Sequence, residues 1–134
     1  MGLARVIILD THIVIWLAES PHMISATATE AIRSERRDGL LAISDMTLLE
    51  LARLITVKKV QTRTSLPAFL EEVERSFKVL PVTGVIAELT MLFSQAYPRD
   101  PVDRVIGATA LAHNCKLVTK DGPIRKSGEV NCIW

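Results

Sequence analysis

RVIILDTHIVIWLAES, residues 5–20, changes its periodicity at a single aspartate. The aliphatic run over 5–9 reads as a strand covered on both faces, because it lacks the alternation of a half-exposed one. Asp10 ends that run, and 12–18 then reads as a short helix. A buried strand leading straight into a helix is the first half of a βα unit, from which parallel sheets with helical faces are built. A carboxylate at the end of such a strand is costly unless something compensates its charge. Asp10 is therefore both a marker of the fold and the first candidate for function.

The alternation continues downstream. Residues 24–37 have helical composition and stop at Asp38-Gly39. LLAIS, 40–44, reads as a buried strand, and in 45–59 the apolar Leu48, Leu51, Leu54 and Ile55 recur at helical spacing. A polar connector over 61–65 precedes a helix that opens at Ser65 with Pro67 in its first turn. FKVLPV, 77–82, is a short strand, and 83–96 a helix. A loop at 97–101 leads into a helix over 100–114, a strand at 115–119 and a last strand at 129–134. The expectation is one domain spanning 1–134, an α/β sandwich whose central, mostly parallel β-sheet is flanked by helices.

Composition narrows the class. A hydrophobic content of 49% with 4% aromatics requires an aliphatic core. The 16 basic and 15 acidic residues nearly cancel, which argues against a strongly electropositive nucleic-acid coat but leaves room for a local basic groove. No segment reaches the roughly 18 consecutive apolar residues of a membrane helix. Cys115 and Cys132 form neither a metal pattern nor a disulfide framework and read as small buried hydrophobes in a reducing, cytoplasmic setting.

In open parallel sheets the functional crevice lies beyond the carboxyl ends of the strands. Acidic residues recur at that edge: Asp10 after the first strand, Asp45 and Glu50 after the second, Asp100 and Asp103 at the start of the helix over 100–114, and Asp121 after the strand over 115–119. Carboxylates gathered together repel one another, and a hard divalent cation such as Mg²⁺ or Mn²⁺ relieves the repulsion while taking oxygen ligands. Each residue also has a plainer reading. Asp10 and Asp100 suit helix N-caps, Asp103 suits the helix dipole, and Asp121-Gly122 is a turn signal. Glu50, set among Leu48, Leu49, Leu51 and Leu54, has no such local excuse.

Three of these blocks, ILDTHIVIWL, AISDMTLLELARL and RDPVDRVIGATALAHNCKLVTKD, together with the terminal VNCIW, resemble PIN-domain proteins, in particular the VapC-type toxins of bacterial toxin–antitoxin pairs. The resemblance implies a PIN-like three-layer sandwich and a Mg²⁺- or Mn²⁺-dependent endoribonuclease that hydrolyses RNA phosphodiester bonds. It places the catalytic and metal-binding roles on Asp10, Glu50, Asp103 and Asp121, with Asp100 as a further ligand. Thr11, Ser44 and Thr119 stand where hydroxyls would support the site. Partners implied are an RNA substrate, a small inhibitory antitoxin and a second copy of the chain, with helices 46–57 and 83–96 as candidate dimer surfaces.

Arg104 is placed either to reach a phosphate or to pair with a neighbouring carboxylate, and Lys120 is a second candidate for a phosphate contact. His12 reads as structural, since activating water on a metal needs no imidazole. Trp16 and Trp134 lie in apolar contexts and read as packing residues rather than as platforms for bases. A dehalogenase-type phosphatase would need an acid at position 12, which is His12, and a phospho-receiver needs an acidic pair where Asp10 stands alone. The competing class is a catalytically inactive PIN-like module that binds RNA or a protein partner.

Overall fold

The computed structural model describes residues 6–134; Arg5, at the start of the expected first strand, lies outside them. Chain order is β1 (Ile7–Leu9), α1 (Thr11–Glu19), a 3₁₀ turn (Pro21–Met23), α2 (Ala26–Arg36), β2 (Leu41–Ser44), α3 (Asp45–Thr56), α4 (Leu66–Ser76) and β3 (Lys78–Leu80). Then follow α5 (Gly84–Thr90), α6 (Pro101–Ala112), β4 (Lys116–Val118), α7 (Gly122–Ser127) and β5 (Cys132–Ile133).

The strands form one sheet in the order β3-β2-β1-β4-β5, and every pairing is parallel. Register sets Ile7 beside Leu41 and Lys116, so β1 is central and its side chains have no solvent face. Successive residues of β1 point to opposite sides. Ile7 and Leu9 join a core with α1 to α4, built on Ile13, Leu51, Leu54, Phe69 and Val73. Val6 and Ile8 join the other, with Ile86, Tyr97, Ile106 and Ile124 from the α5–α7 side. This is the three-layer sandwich, and the continuous apolar strands follow from burial on both faces.

The chain moves outward from β1 to β2 and β3, then returns to the other flank of β1 with β4. The direction of winding therefore reverses between β1 and β4, and a crevice opens beyond their carboxyl ends. Asp10 and Thr119 are the first residues past those two strands.

Two elements depart from expectation. The helix over 83–96 stops at Thr90, and 91–96 runs in turns. Arg104 takes the carbonyls of Thr90 and Ser94, and Glu129 accepts from both the Ser94 amide, at 2.9 Å, and its hydroxyl, at 2.7 Å. These tertiary bonds are made in place of further helical turns. The second departure is α7, where a turn was expected at Asp121-Gly122. Asp121 caps it by accepting from the Ile124 amide at 2.9 Å, Ile124 is buried, and Gly128, at φ 68°, ends it in the left-handed conformation that glycine adopts freely.

Candidate active site

Asp10 keeps its backbone in the sheet, donating its amide to the Val118 carbonyl at 3.0 Å, while its side chain leaves the strand end. Only 9% of the residue is exposed. One carboxylate oxygen accepts from the Thr11 amide at 2.8 Å and the other from the Thr119 hydroxyl at 2.7 Å. Thr119 Oγ1 in turn accepts from the Asp121 amide at 3.1 Å, so one buried hydroxyl ties the end of β1 to the start of α7.

Four more carboxylates line the same cavity, of about 520 Å³: Glu50 from the second turn of α3, Asp100 and Asp103 from the start of α6, and Asp121 from the cap of α7. Asp100 caps α6 by accepting from the Asp103 amide at 3.3 Å, so capping and lining the cavity are compatible roles. The Glu50 side chain is only 15% exposed and its ion pair, with Arg53 at 4.0 Å, is long. The cavity wall is completed by His12, Ile13, Trp16 and Lys120.

The electrostatics record the crowding. Burial raises the Asp10 carboxyl above its ordinary value, against the opposing pull of the bonds from Thr119 and Thr11. Burial, then the charges of Asp10, Asp100, Asp121 and Glu50, push Asp103 up to about 7. Tyr97, buried beside the same group, has its phenol pushed up by burial and by Asp103. It donates to the Asp103 carbonyl at 3.0 Å and thereby fixes the first turn of α6.

All five acidic side chains offer hard oxygen donors, the chemistry that suits Mg²⁺ or Mn²⁺. Among the described residues no three His, Cys, Asp or Glu side chains are drawn together into a ready-made cage. The donor chemistry of the set, all carboxylate oxygen, would suit a hard divalent cation.

Other expected residues fall elsewhere. Ser44 is fully buried and caps α3, accepting from the Met46 amide at 3.1 Å, so it supports the helix that carries Glu50 rather than the cavity itself. The Thr11 hydroxyl lies 3.4 Å from that of Thr47, packing α1 on α3. Asp45 accepts from the Val82 amide at 3.2 Å beyond β3 and does not reach the carboxylates. Arg104 is committed largely to backbone, and its charge also helps hold the Glu129 carboxyl below its ordinary value, after the bonds Glu129 accepts from Ser94. The Arg104 guanidinium donates to the carbonyls of Pro98 at 2.9 Å, Thr90 at 3.1 Å, and Ser94 and Tyr97 at 3.5 Å, which holds the 91–98 turns against α6.

The sequence reading did not single out Tyr97, and it placed neither His12 nor Trp16 at the cavity, although the packing read for Trp16 is present. His12 is exposed and Trp16 half-buried, and both line the cavity. Their i, i+4 spacing one turn into the helix after Asp10 was the available signal.

Comparison with known proteins converges on one family. The PIN-domain family matches residues 7–129. The ribonuclease VapC22 of Mycobacterium tuberculosis is 31% identical over 119 residues, covering 89% of each chain. Among solved structures, VapBC2 from Rickettsia felis bound to a promoter DNA fragment superposes with TM-score 0.72 at 16% identity, covering 95% of this chain and 96% of that one. DNA-bound VapBC from Salmonella typhimurium gives 0.72 at 19%, with the same coverage. A toxin–antitoxin complex from Klebsiella pneumoniae gives 0.60 at 23%, covering 85% of each chain.

Proposed function

The chain belongs to the PIN-domain family, and from that premise we propose that it is a divalent-metal-dependent endoribonuclease, a VapC-like toxin restrained by a small antitoxin. The observation that carries this reading is the convergence of five carboxylates from four separate segments on one cavity beyond β1 and β4. Its similarity to a ribonuclease over most of both chains supports RNA as the substrate.

Asp10, Glu50, Asp103 and Asp121 are the residues we assign to the cation, with Asp100 as a further ligand. A bound divalent cation supplies the positive charge that draws a phosphodiester into an acidic cavity and lowers the cost of generating hydroxide from water. The protein's own residues do the positioning. Thr119 and the Thr11 amide hold Asp10 in one orientation, and Tyr97 holds the turn that carries Asp103. Lys120 is the one lysine or arginine among the described residues lining the cavity, and we assign it a contact with substrate phosphate. Burial and the neighbouring carboxylates push Asp103 up to about 7, so below that pH it holds a proton that would have to leave before the carboxylate could hold a cation.

Solved toxin–antitoxin complexes of the same fold support an antitoxin partner. A homodimer is supported by the apolar side chains left outside: Val85 on α5, Met91 and Leu92 just beyond it at 77% and 71% exposure, and Leu49 on α3. Among the described residues no helix is long and apolar enough to cross a membrane, and the thiols of Cys115 and Cys132 suit a reducing cytoplasm. The test is cleavage of a structured RNA pool by purified protein with Mg²⁺ or Mn²⁺, with EDTA, and with Asp10→Asn prepared identically. Cutting that requires metal and disappears in the variant is expected. Cutting that survives the substitution would refute the assignment of Asp10.

A further inference from the structure

One wall of the cavity has a different chemistry from the rest. Trp16 packs on the core beneath α1 and also lines the cavity with the carboxylates. Two other rings brace it: His12 with centroids 5.9 Å apart at 55°, and Trp134, from the chain beyond β5, at 6.3 Å and 51°. The ammonium of Lys120 stands 5.6 Å from the Trp16 ring centroid, over its face. Phe69, Phe93 and Tyr97, by contrast, are buried away from solvent. An indole packed against two other rings, with a cation over its face and part of its surface lining the cavity, is a preorganised flat surface.

Resting on the nuclease reading above, we propose that Trp16, braced by His12, forms a subsite that stacks one unpaired RNA base next to the phosphate to be cut, with Lys120 pairing with backbone phosphate at the same place. Apart from Ile13 and Lys120 the rest of the lining is carboxylate, so the aromatic wall is where a base finds a π-face to stack on. Indole–base stacking is tolerant of base identity, because every base has a π-face. Lys120 sits on a flexible four-carbon stem, so it can yield the ring face to a base and swing to the adjoining phosphate. Bases inside a duplex have both faces covered, so the subsite selects single-stranded, looped or bulged RNA.

The test uses the full chain carrying Asp10→Asn to prevent cutting, in Mg²⁺, and two probes: short single-stranded RNA of random sequence and an abasic ribose-phosphate polymer of equal length. Trp16→Leu is expected to weaken binding of the base-bearing RNA by about 5- to 150-fold, the range a stacked base contributes. It should leave the abasic polymer unchanged, and Trp16→Tyr should restore most of the loss. Equal loss on both probes, or none on the RNA, overturns the subsite. If Trp16→Leu does not fold, Trp134→Phe leaves Trp16 as the sole indole. Its fluorescence must then be quenched by the RNA and not by the abasic polymer, and unchanged emission overturns the subsite. The two readings fail separately. A chain with Asp10 intact that cuts RNA equally well with Trp16 or Leu at this position refutes the subsite alone. One that binds bases through Trp16 but never cuts refutes the nuclease alone.

Discussion

Gly107→Ala offers a sharp test of how α6 is seated, because two physical effects predict opposite signs. Alanine is better than glycine in a helix interior by about 1 kcal/mol, so an isolated α6 would gain. In the folded chain, however, a Cβ at position 107 would land on Tyr97 Oη, within 2.8 Å of Tyr97 Cζ and 3.1 Å of Phe93 Cζ. Tyr97 has no room to retreat. Its ring is stacked on Phe93 with centroids 3.9 Å apart, and Arg104 lies over the far ring at 5.9 Å. Overpacking of this kind costs about 1–3 kcal/mol, and displacing the phenol from the Asp103 carbonyl adds about 1 kcal/mol more. Net destabilisation of about 2 kcal/mol is expected, read as a lower midpoint with unchanged slope in urea unfolding. Adding Tyr97→Phe should recover part of the loss, since the nearest atom is gone and the sites are in contact. A Gly107→Ala protein as stable as the parent, or more stable, would refute the reasoning.

Three further outcomes follow from the site and its supports. Thr119→Val removes the hydroxyl that donates to Asp10 and accepts from the Asp121 amide; it should cost about 1–3 kcal/mol in chemical unfolding at neutral pH, with Thr119→Ser restoring most of it. Asp103 holds its proton more tightly when folded, at about 7 against an ordinary value of 3.8, so stability it contributes at low pH is lost as pH rises toward and through 7. After discounting for solvent screening that is about 1–2 kcal/mol, visible in metal-free protein as a falling melting temperature that Asp103→Asn or saturating Mg²⁺ flattens. Arg104→Lys should lower stability by about 1–2 kcal/mol through lost carbonyl bonds, while leaving the salt dependence of RNA binding unchanged; a shallower salt slope would restore the phosphate role for Arg104.

What the sequence made legible was set by local chemistry. The break at Asp10 exposed β1 and α1 because period and polarity change at one residue. The carboxylates could be grouped because a parallel sheet sends every strand end to one edge, so order along the chain is enough to predict a shared edge. The departures came where distant contacts decide. The helix through Leu92 to Ala96 lost to bonds from Arg104 and Glu129, which lie 10 to 35 residues away in sequence. The α7 helix, six residues long, is too short to show periodicity, and its Asp-Gly opening also signals a turn. Trp16 was read as packing, and it does pack on the core; it also lines the cavity, where Lys120, two residues past β4 and over 100 residues later in the chain, arrives beside α1. Neither Arg104 nor Tyr97 carries a local pattern that foretells its carbonyl partners.

The central claim is that the clustered carboxylates are a divalent-cation site whose ligands must shed a proton to bind. Calorimetric titration of Mn²⁺ into metal-free protein, repeated near pH 6 in buffers of different ionisation heat, counts that proton directly. Binding is expected to release protons at this pH and fewer as the pH is raised through 7, since Asp103 is pushed up to about 7. Asp103→Asn should lower the release, leaving the share that comes from Asp10, which burial also raises. Absence of Mn²⁺ binding, or binding with the same proton count in the parent and in Asp103→Asn, would contradict it.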